Sequence, residues 1–302
     1  MKKPTFLQDE LPTEERNPAS MEIDLGSTEK MLRIINREDQ RVAQAVAVEI
    51  PQIAKAVELV SQAFQKGGRL FYVGAGTSGR LGILDASECV PTFNAPWHWV
   101  QGVMAGGMKA AVKPVEASED SERAGALALK RKKLRAADVV AGIAASGRTP
   151  YTLGAMKYAR SVGAAVLSIT CNPNSKMAAL ADVSIAPLTG PEVVTGSTRM
   201  KAGTAQKLVL NMLTTASMIK LGYVYSNLMI HVQMKNEKLR QRGRRIVMSA
   251  TGADYATSDR TLRQAQGDVK TAIVMLQCNV GLKEARKKLK RAQLNLRAAL
   301  AE

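Results

Sequence analysis

The sequence predicts an α/β fold, a parallel sheet with helices on both faces followed by a small helical bundle. Two observations predict it. Apolar runs closed by small residues recur between residues 69 and 172 and alternate with helical patterns. From about Asn236 to the end the texture changes, and the chain reads as charged and helical.

Taken in order, residues 40–66 place Ala, Val, Ile and Leu at three- and four-residue intervals, which predicts a pair of amphipathic helices interrupted near Pro51. RLFYVGAG (69–76) predicts the first strand, and TSGRLGILDA (77–86) a loop opening into a helix. WVQGVMAG (99–106), DVVAGIAASG (138–147) and AAVLSITCN (164–172) repeat the strand pattern. PYTLGAMKYARSVG (150–163) begins with proline in the first turn and ends with glycine, a helix signature. ADVSIAP (181–187) predicts a last short strand, and a long helix is expected from about Ser197 to Leu221. Gly252, Gly267 and Gly281 are the expected breaks between the final helices. The resulting organisation is an N-terminal helical segment (1–50), a sheet domain (51–235) and a C-terminal helical domain (236–302). In an α/β sheet of this kind, ligands collect at the carboxyl ends of the strands.

Composition bounds the function. The 302 residues, 46% of them hydrophobic, suffice for one sizeable core and a small satellite. Cys89, Cys171 and Cys278 are odd in number and lack metal-ligand spacing, which argues against a disulfide framework or zinc site. The N-terminal stretch follows its lysines with acids and prolines rather than an apolar signal core, and no run is apolar enough to span a bilayer. The cytoplasm is the expected compartment, with no membrane partner. The net charge of +17 attracts anions of any size without choosing among them. Its densest runs, KRKKLR (130–135) and Lys283 to Arg297, are not interleaved with aromatics and read as solvated helix faces, so nucleic acid is not an expected partner.

Four segments carry chemistry. GAGTSGR (74–80) sits at a predicted strand end before a helix, where glycines admit a ligand to the backbone and Thr77 and Ser78 add hydroxyls. It lacks the full dinucleotide pattern and the P-loop ending, and a tight strand-to-helix turn needs glycine in any case. SGRTP (146–150) repeats the arrangement with Ser146, Arg148 and Thr149, and two such turns at one end of a parallel sheet form a cradle suited to a phosphate monoester. GPEVVTGSTRMKAGTAQK (190–207) crowds hydroxyls at the start of the long helix, where Ser197 or Thr198 can serve as an ordinary cap.

The fourth feature is a pair of carboxylates. Glu88 is expected near the end of the first sheet-domain helix, before Pro91, where the helix dipole would raise its pKa and suit a proton donor. Glu119 lies among Glu116, Asp120 and Glu122, a run that taken alone reads as a solvated helix start. His98 and His231 belong to no ligand cluster or nucleophilic triad and read as structural. Carboxylates and hydroxyls are therefore the remaining catalytic groups.

FYVGAGTSGRLGILDASECVPTF (71–93), AGIAASGRTPYTLGAMKYAR (141–160) and GPEVVTGSTRMKAGTAQKLVLNML (190–213) resemble the N-acetylmuramic acid 6-phosphate etherase family, within the wider sugar isomerase (SIS) domain group. The resemblance runs from TEERNPAS (13–20) through NEKL (236–239), with DVKTAIVM (268–275) matching the C-terminal helical region. It implies a three-layer SIS-type sheet, a homodimer, no metal or organic cofactor, and cleavage of the lactyl ether of the sugar to N-acetylglucosamine 6-phosphate and D-lactate, in amino-sugar catabolism or peptidoglycan recycling. It places the acid/base glutamates on Glu88 and Glu119, and the phosphate cradle on Thr77, Ser78, Ser146 and Thr149, with Arg148 and Ser197 beside them. Val90 departs from the family's usual proline and Ala117 from a common glycine; both bear on local loop shape.

The main rival is a sugar-phosphate-binding regulator resembling the glucokinase regulatory protein, which has no use for two acid/base groups. A sugar-sensing transcription regulator would need a DNA-reading segment, and no helix-turn-helix pattern precedes the sheet domain. A sugar isomerase would share the cradle but differ in the Glu88 segment.

Overall fold

The computed structural model describes residues 12–113, 115, 118–232, 234, 236–293 and 295–301, so the first eleven residues, Glu116 and Ala117 lie outside it. Five strands, β1 (Leu70–Gly74), β2 (Val100–Met104), β3 (Val139–Ile143), β4 (Ala165–Ile169) and β5 (Val183–Ile185), form one parallel sheet in the order β2-β1-β3-β4-β5. Every residue of β1 and β3 is buried. Strands covered on both faces read as continuous apolar runs, which is why all five were legible.

Helices α1 (Thr28–Val48) and α2 (Ile50–Gln65) meet at Glu49, with Pro51 in the first turn of α2. α3 (Gly76–Phe93) follows β1, α4 (Gly107–Val112) and α5 (Glu122–Arg131) follow β2, α6 (Pro150–Ser161) follows β3, and α7 (Lys201–Lys220) follows β5. Two expectations need correction here. No loop separates β1 from its helix, because Gly76 at φ +52° turns the chain straight into α3. Nor does that helix stop at Pro91, which lies inside α3.

The chain divides into two compact units, Met1–Ala86 with His98–Thr214, and Ser87–Trp97 with Thr215–Glu302. The first holds the sheet. Its core gathers Phe71, Val73, Val140, Val166, Met156 and Leu129 between strands and helices. The KRKKLR run is exposed except for Leu134, as expected of a solvated face.

The second unit contains α8 (Glu237–Thr251), α9 (Tyr255–Gln264), α10 (Val269–Gln277), α11 (Leu282–Arg291) and α12 (Leu296–Ala301). Asn236, Asp254 and Asp268 cap α8, α9 and α10 through side-chain oxygens that accept N–H bonds from Leu239, Thr257 and Thr271. Gly252 ends α8 in the left-handed region, and Gly267 and Gly281 fall at the next two breaks. Among the described residues, no helix is long and apolar enough to cross a membrane.

His231 stacks on Tyr223 in this unit with ring centroids 4.4 Å apart. Burial pushes its pKa down to about 4, the nearby Lys270 charge acts in the same direction, and Asp268 opposes them. An unfolded histidine titrates near 6.5, so the folded state binds fewer protons between those values and stability is lost as pH falls from about 6.5 to about 4. His231→Phe keeps the stack and removes the titration. Its melting temperature is expected to fall less steeply than that of the wild type across this range.

Candidate active site

β1 is flanked by β2 on one side and β3 on the other, so the connections leaving β1 and β3 diverge at their carboxyl ends. This is the switch point at which doubly wound sheets take ligands. Gly74 and Ile143 are register partners, and the two hydroxyl-bearing turns therefore leave adjacent strands at the same height.

On the β1 side, Thr77 and Ser78 occupy the first turn of α3, whose leading N–H groups have no intrahelical acceptor. A Cβ at Gly79 would stand 2.7 Å from the Gly74 carbonyl oxygen and 2.8 Å from Met104 Cγ, so only glycine lets the helix start this close to the sheet. Ser78 is buried and its Oγ donates to Gln206 Oε1 at 2.9 Å, tying α3 to α7. Thr77 is half-buried, and its hydroxyl has no hydrogen-bond partner among the described residues.

On the β3 side, Gly147 at φ +67° packs against Ser175 where a Cβ would overlap it. Ser146 Oγ accepts the Arg148 N–H at 3.3 Å. Thr149 occupies the N-cap position of α6 without a capping bond from its side chain. Proline at position 150 has no N–H, and the next donor, Tyr151 N–H, is taken by the Glu119 carbonyl at 2.9 Å. That bond fixes the backbone of Glu119 to the second hydroxyl turn.

A cavity of about 140 Å³ opens beside these turns, lined by Gly76, Arg80, Met104, Ala110, Ser118 and Glu119 among others. Thus Glu119, read from its acidic run alone as a solvated helix start, is exposed at the rim of a cavity rather than on a helix. Arg80 brings a positive charge to the same wall; its guanidinium donates to the Ala111 and Ala110 carbonyls at 3.1 and 2.9 Å, which holds it still. Arg80 was not among the sequence candidates. Its position four residues after Gly76, on the same face of α3, was the available signal.

The 190–207 segment also differs from expectation. α7 begins at Lys201, and its cap is neither Ser197 nor Thr198. Buried Glu192 accepts from Lys201 N–H at 3.0 Å and Ala202 N–H at 2.9 Å. Ser197 is half-buried, and its hydroxyl has no hydrogen-bond partner among the described residues. A Cβ at Gly203 on α7 would stand 3.5 Å from Thr77 Cγ2 and 3.6 Å from the Thr198 carbonyl oxygen, so the first turn of α7 adjoins the first turn of α3.

Glu88 is exposed on α3 and is not among the residues lining the cavity. Since α3 continues to Phe93, Glu88 precedes the last turn, where dipole effects concentrate. The helix-end argument for a proton donor therefore loses its premise, and the family motif is what remains to support that role. Nucleophilic chemistry by Cys171 is disfavoured, since burial pushes its thiol up to about 12.

A larger cavity, about 520 Å³, lies in the helical unit, lined by Arg240, Arg244, Arg263, Asp259, Met234 and Leu262 among others. Its arginines are engaged in ion pairs with Glu237 and Asp259. Size alone does not make it the better candidate.

Residues 52–160 match the glucokinase regulatory protein N-terminal SIS domain, and residues 108–216 match the SIS domain. Together with the five-stranded parallel sheet, these matches define the protein as a member of the SIS class. Proteins named N-acetylmuramic acid 6-phosphate etherase are similar to it over nearly its whole length. That from Aeromonas hydrophila is 57% identical across 92% of this chain and 93% of its own. The relative from Symbiobacterium thermophilum is 57% identical across 89% and 90%, and that from Aliivibrio fischeri 54% across 97% of each. The chain belongs to the N-acetylmuramic acid 6-phosphate etherase family.

Proposed function

We propose that this protein is a carbon–oxygen lyase that cleaves the lactyl ether of N-acetylmuramic acid 6-phosphate, giving N-acetylglucosamine 6-phosphate and D-lactate. The observation that carries the reading is a carboxylate, Glu119, at the rim of a cavity that begins at the first turn of α3, with its backbone bonded to the second hydroxyl turn. The cavity has room for about four or five water-sized groups. A phosphorylated amino sugar therefore extends through its mouth toward the exposed glutamate.

Thr77, Ser78, Ser146, Arg148, Thr149 and Ser197 are the proposed phosphate and sugar contacts, within a substrate domain spanning 51–235. Ser78 acts through its backbone N–H, as its hydroxyl is committed to Gln206. In the open-chain sugar the aldehyde acidifies the hydrogen on carbon 2. A carboxylate removes that proton, the electron pair forms a carbon 2–carbon 3 double bond, and the carbon 3–oxygen bond breaks. The departing lactyl oxygen takes a proton from a carboxyl group. Water then adds across the double bond, with hydroxyl to carbon 3 and a proton to carbon 2. The aldehyde is the electron sink, so the sequence of steps calls for no cofactor. Glu88 is assigned the proton to the leaving group and Glu119 the second acid/base role.

The protein is proposed to act as a homodimer in the cytoplasm, in peptidoglycan recycling. Support for the homodimer comes from the family resemblance. The test is incubation of purified protein with N-acetylmuramic acid 6-phosphate and enzyme-coupled measurement of D-lactate. Stoichiometric, multiple-turnover lactate release is the expected result. Tight binding of the sugar phosphate without lactate would replace this reading with that of a regulatory binder.

A further inference from the structure

Lys201 opens α7 with its positive charge at the positive end of the helix dipole, a placement that is unfavourable by itself. Its side chain is 2% exposed and its ammonium lies 2.6 Å from Glu38 Oε2, on a carboxylate also 2% exposed. Asn17 Nδ2 donates to that same oxygen at 2.8 Å and to the Pro191 carbonyl at 3.0 Å. Ser20 Oγ donates to the Val193 carbonyl at 2.8 Å. Glu192 closes the far end of the loop by accepting the Lys201 and Ala202 N–H groups. One buried knot thus joins the segment before α1, the middle of α1 and both ends of the 191–200 loop.

Between its tied ends the loop has little of its own to hold it. Val194, Thr195 and Gly196 are exposed, and the internal backbone bonds are Ser197 N–H to Val194 and Thr198 N–H to Gly196. The loop nevertheless leads straight into the first turn of α7, where Gly203 lies beside Thr77 of α3. A buried ion pair gains little net stability over an apolar pair of the same volume, because desolvation offsets the attraction. Its distinctive property is the single geometry that it enforces.

We propose that Asn17, Glu38 and Lys201 are positioning residues that hold the 194–200 loop, and with it Ser197, in the geometry that binds the phosphorylated sugar. This rests on the substrate-binding role given to Ser197 above. Removing one ionic partner alone strands a buried charge and is expected to unfold the protein, so two gentler variants are used. Asn17→Ala cuts the link to Pro191, and the paired change Glu38→Gln with Lys201→Met removes both charges at nearly constant volume.

Three readouts apply to each variant: kinetics with N-acetylmuramic acid 6-phosphate, calorimetric binding of N-acetylglucosamine 6-phosphate, and hydrogen exchange at residues 194–200. The expected result is a KM and Kd raised about tenfold, which corresponds to about 1.4 kcal/mol. kcat should stay within about twofold, and exchange of the loop amides should quicken, as for a segment whose local opening has become easier. Variants that melt earlier yet keep wild-type KM and Kd would show a purely structural knot and overturn the proposal. A wild-type protein that neither binds nor cleaves these sugars sinks the functional reading, and this proposal with it. A competent wild type beside unaffected variants sinks this proposal alone.

Discussion

Glu119→Gln is expected to leave the fold intact while lowering D-lactate release by about 100-fold or more, the usual size of an acid/base contribution. The amide keeps the shape of the carboxyl group but neither accepts nor returns a proton. The separation of roles is unusually clean at this residue, because its structural bond to Tyr151 N–H uses the backbone carbonyl, whereas its side chain is exposed at the cavity rim. Glu88→Gln, also at an exposed position, is expected to show a comparable loss. Glu122→Gln is the control from the same acidic run. It removes a surface pair with Lys157 at 2.7 Å, with side chains 44% and 53% exposed, and should change neither activity nor melting temperature measurably. Full activity in Glu119→Gln, with the control unchanged, would remove that residue from the mechanism.

Gly154→Val is expected to lower unfolding free energy by about 3 kcal/mol, seen as an earlier urea midpoint at unchanged slope. α5 and α6 touch backbone to backbone. A Cβ at Gly154 would fall on the Glu122 carbonyl, and one at Gly125 on the Tyr151 carbonyl. Backbone carbonyls cannot rotate aside as the end of a flexible side chain can, so the two helices must separate. Separation strains the Tyr151 to Glu119 bond that fixes the rim of the cavity. The fraction that remains folded should therefore also lose turnover. A variant of wild-type stability would mean that the helices part at no cost, and the account of how Glu119 is held would fail.

Legibility followed the range of the interactions. The strands were readable because a sheet buried on both faces writes its pattern into consecutive residues, and the breaks at Gly252, Gly267 and Gly281 because helix termination is local. The two hydroxyl turns were readable for the same reason. Glu119 was ambiguous, since nothing within its acidic run distinguishes a residue beside a cavity from one on a solvated helix. The helix end expected before Pro91 lies two residues beyond it, at Phe93. Ser197 and Thr198 are only possible caps of α7 by proximity, whereas Glu192 reaches it by a turn of the intervening loop.

By itself, then, the sequence determined the parallel sheet, the helical C-terminal unit, the family and the short motifs at the strand ends, since periodicity, glycine punctuation and motif spacing act over a few residues. Tertiary structure alone decided that Arg80 and Glu119 share a cavity, that Gly125 and Gly154 let two helices touch, and that Glu38 and Lys201, 163 residues apart, meet in the interior. Such pairings depend on which surfaces come together when the chain packs. No local pattern encodes them, because the energy that selects them exists only once both partners have left water.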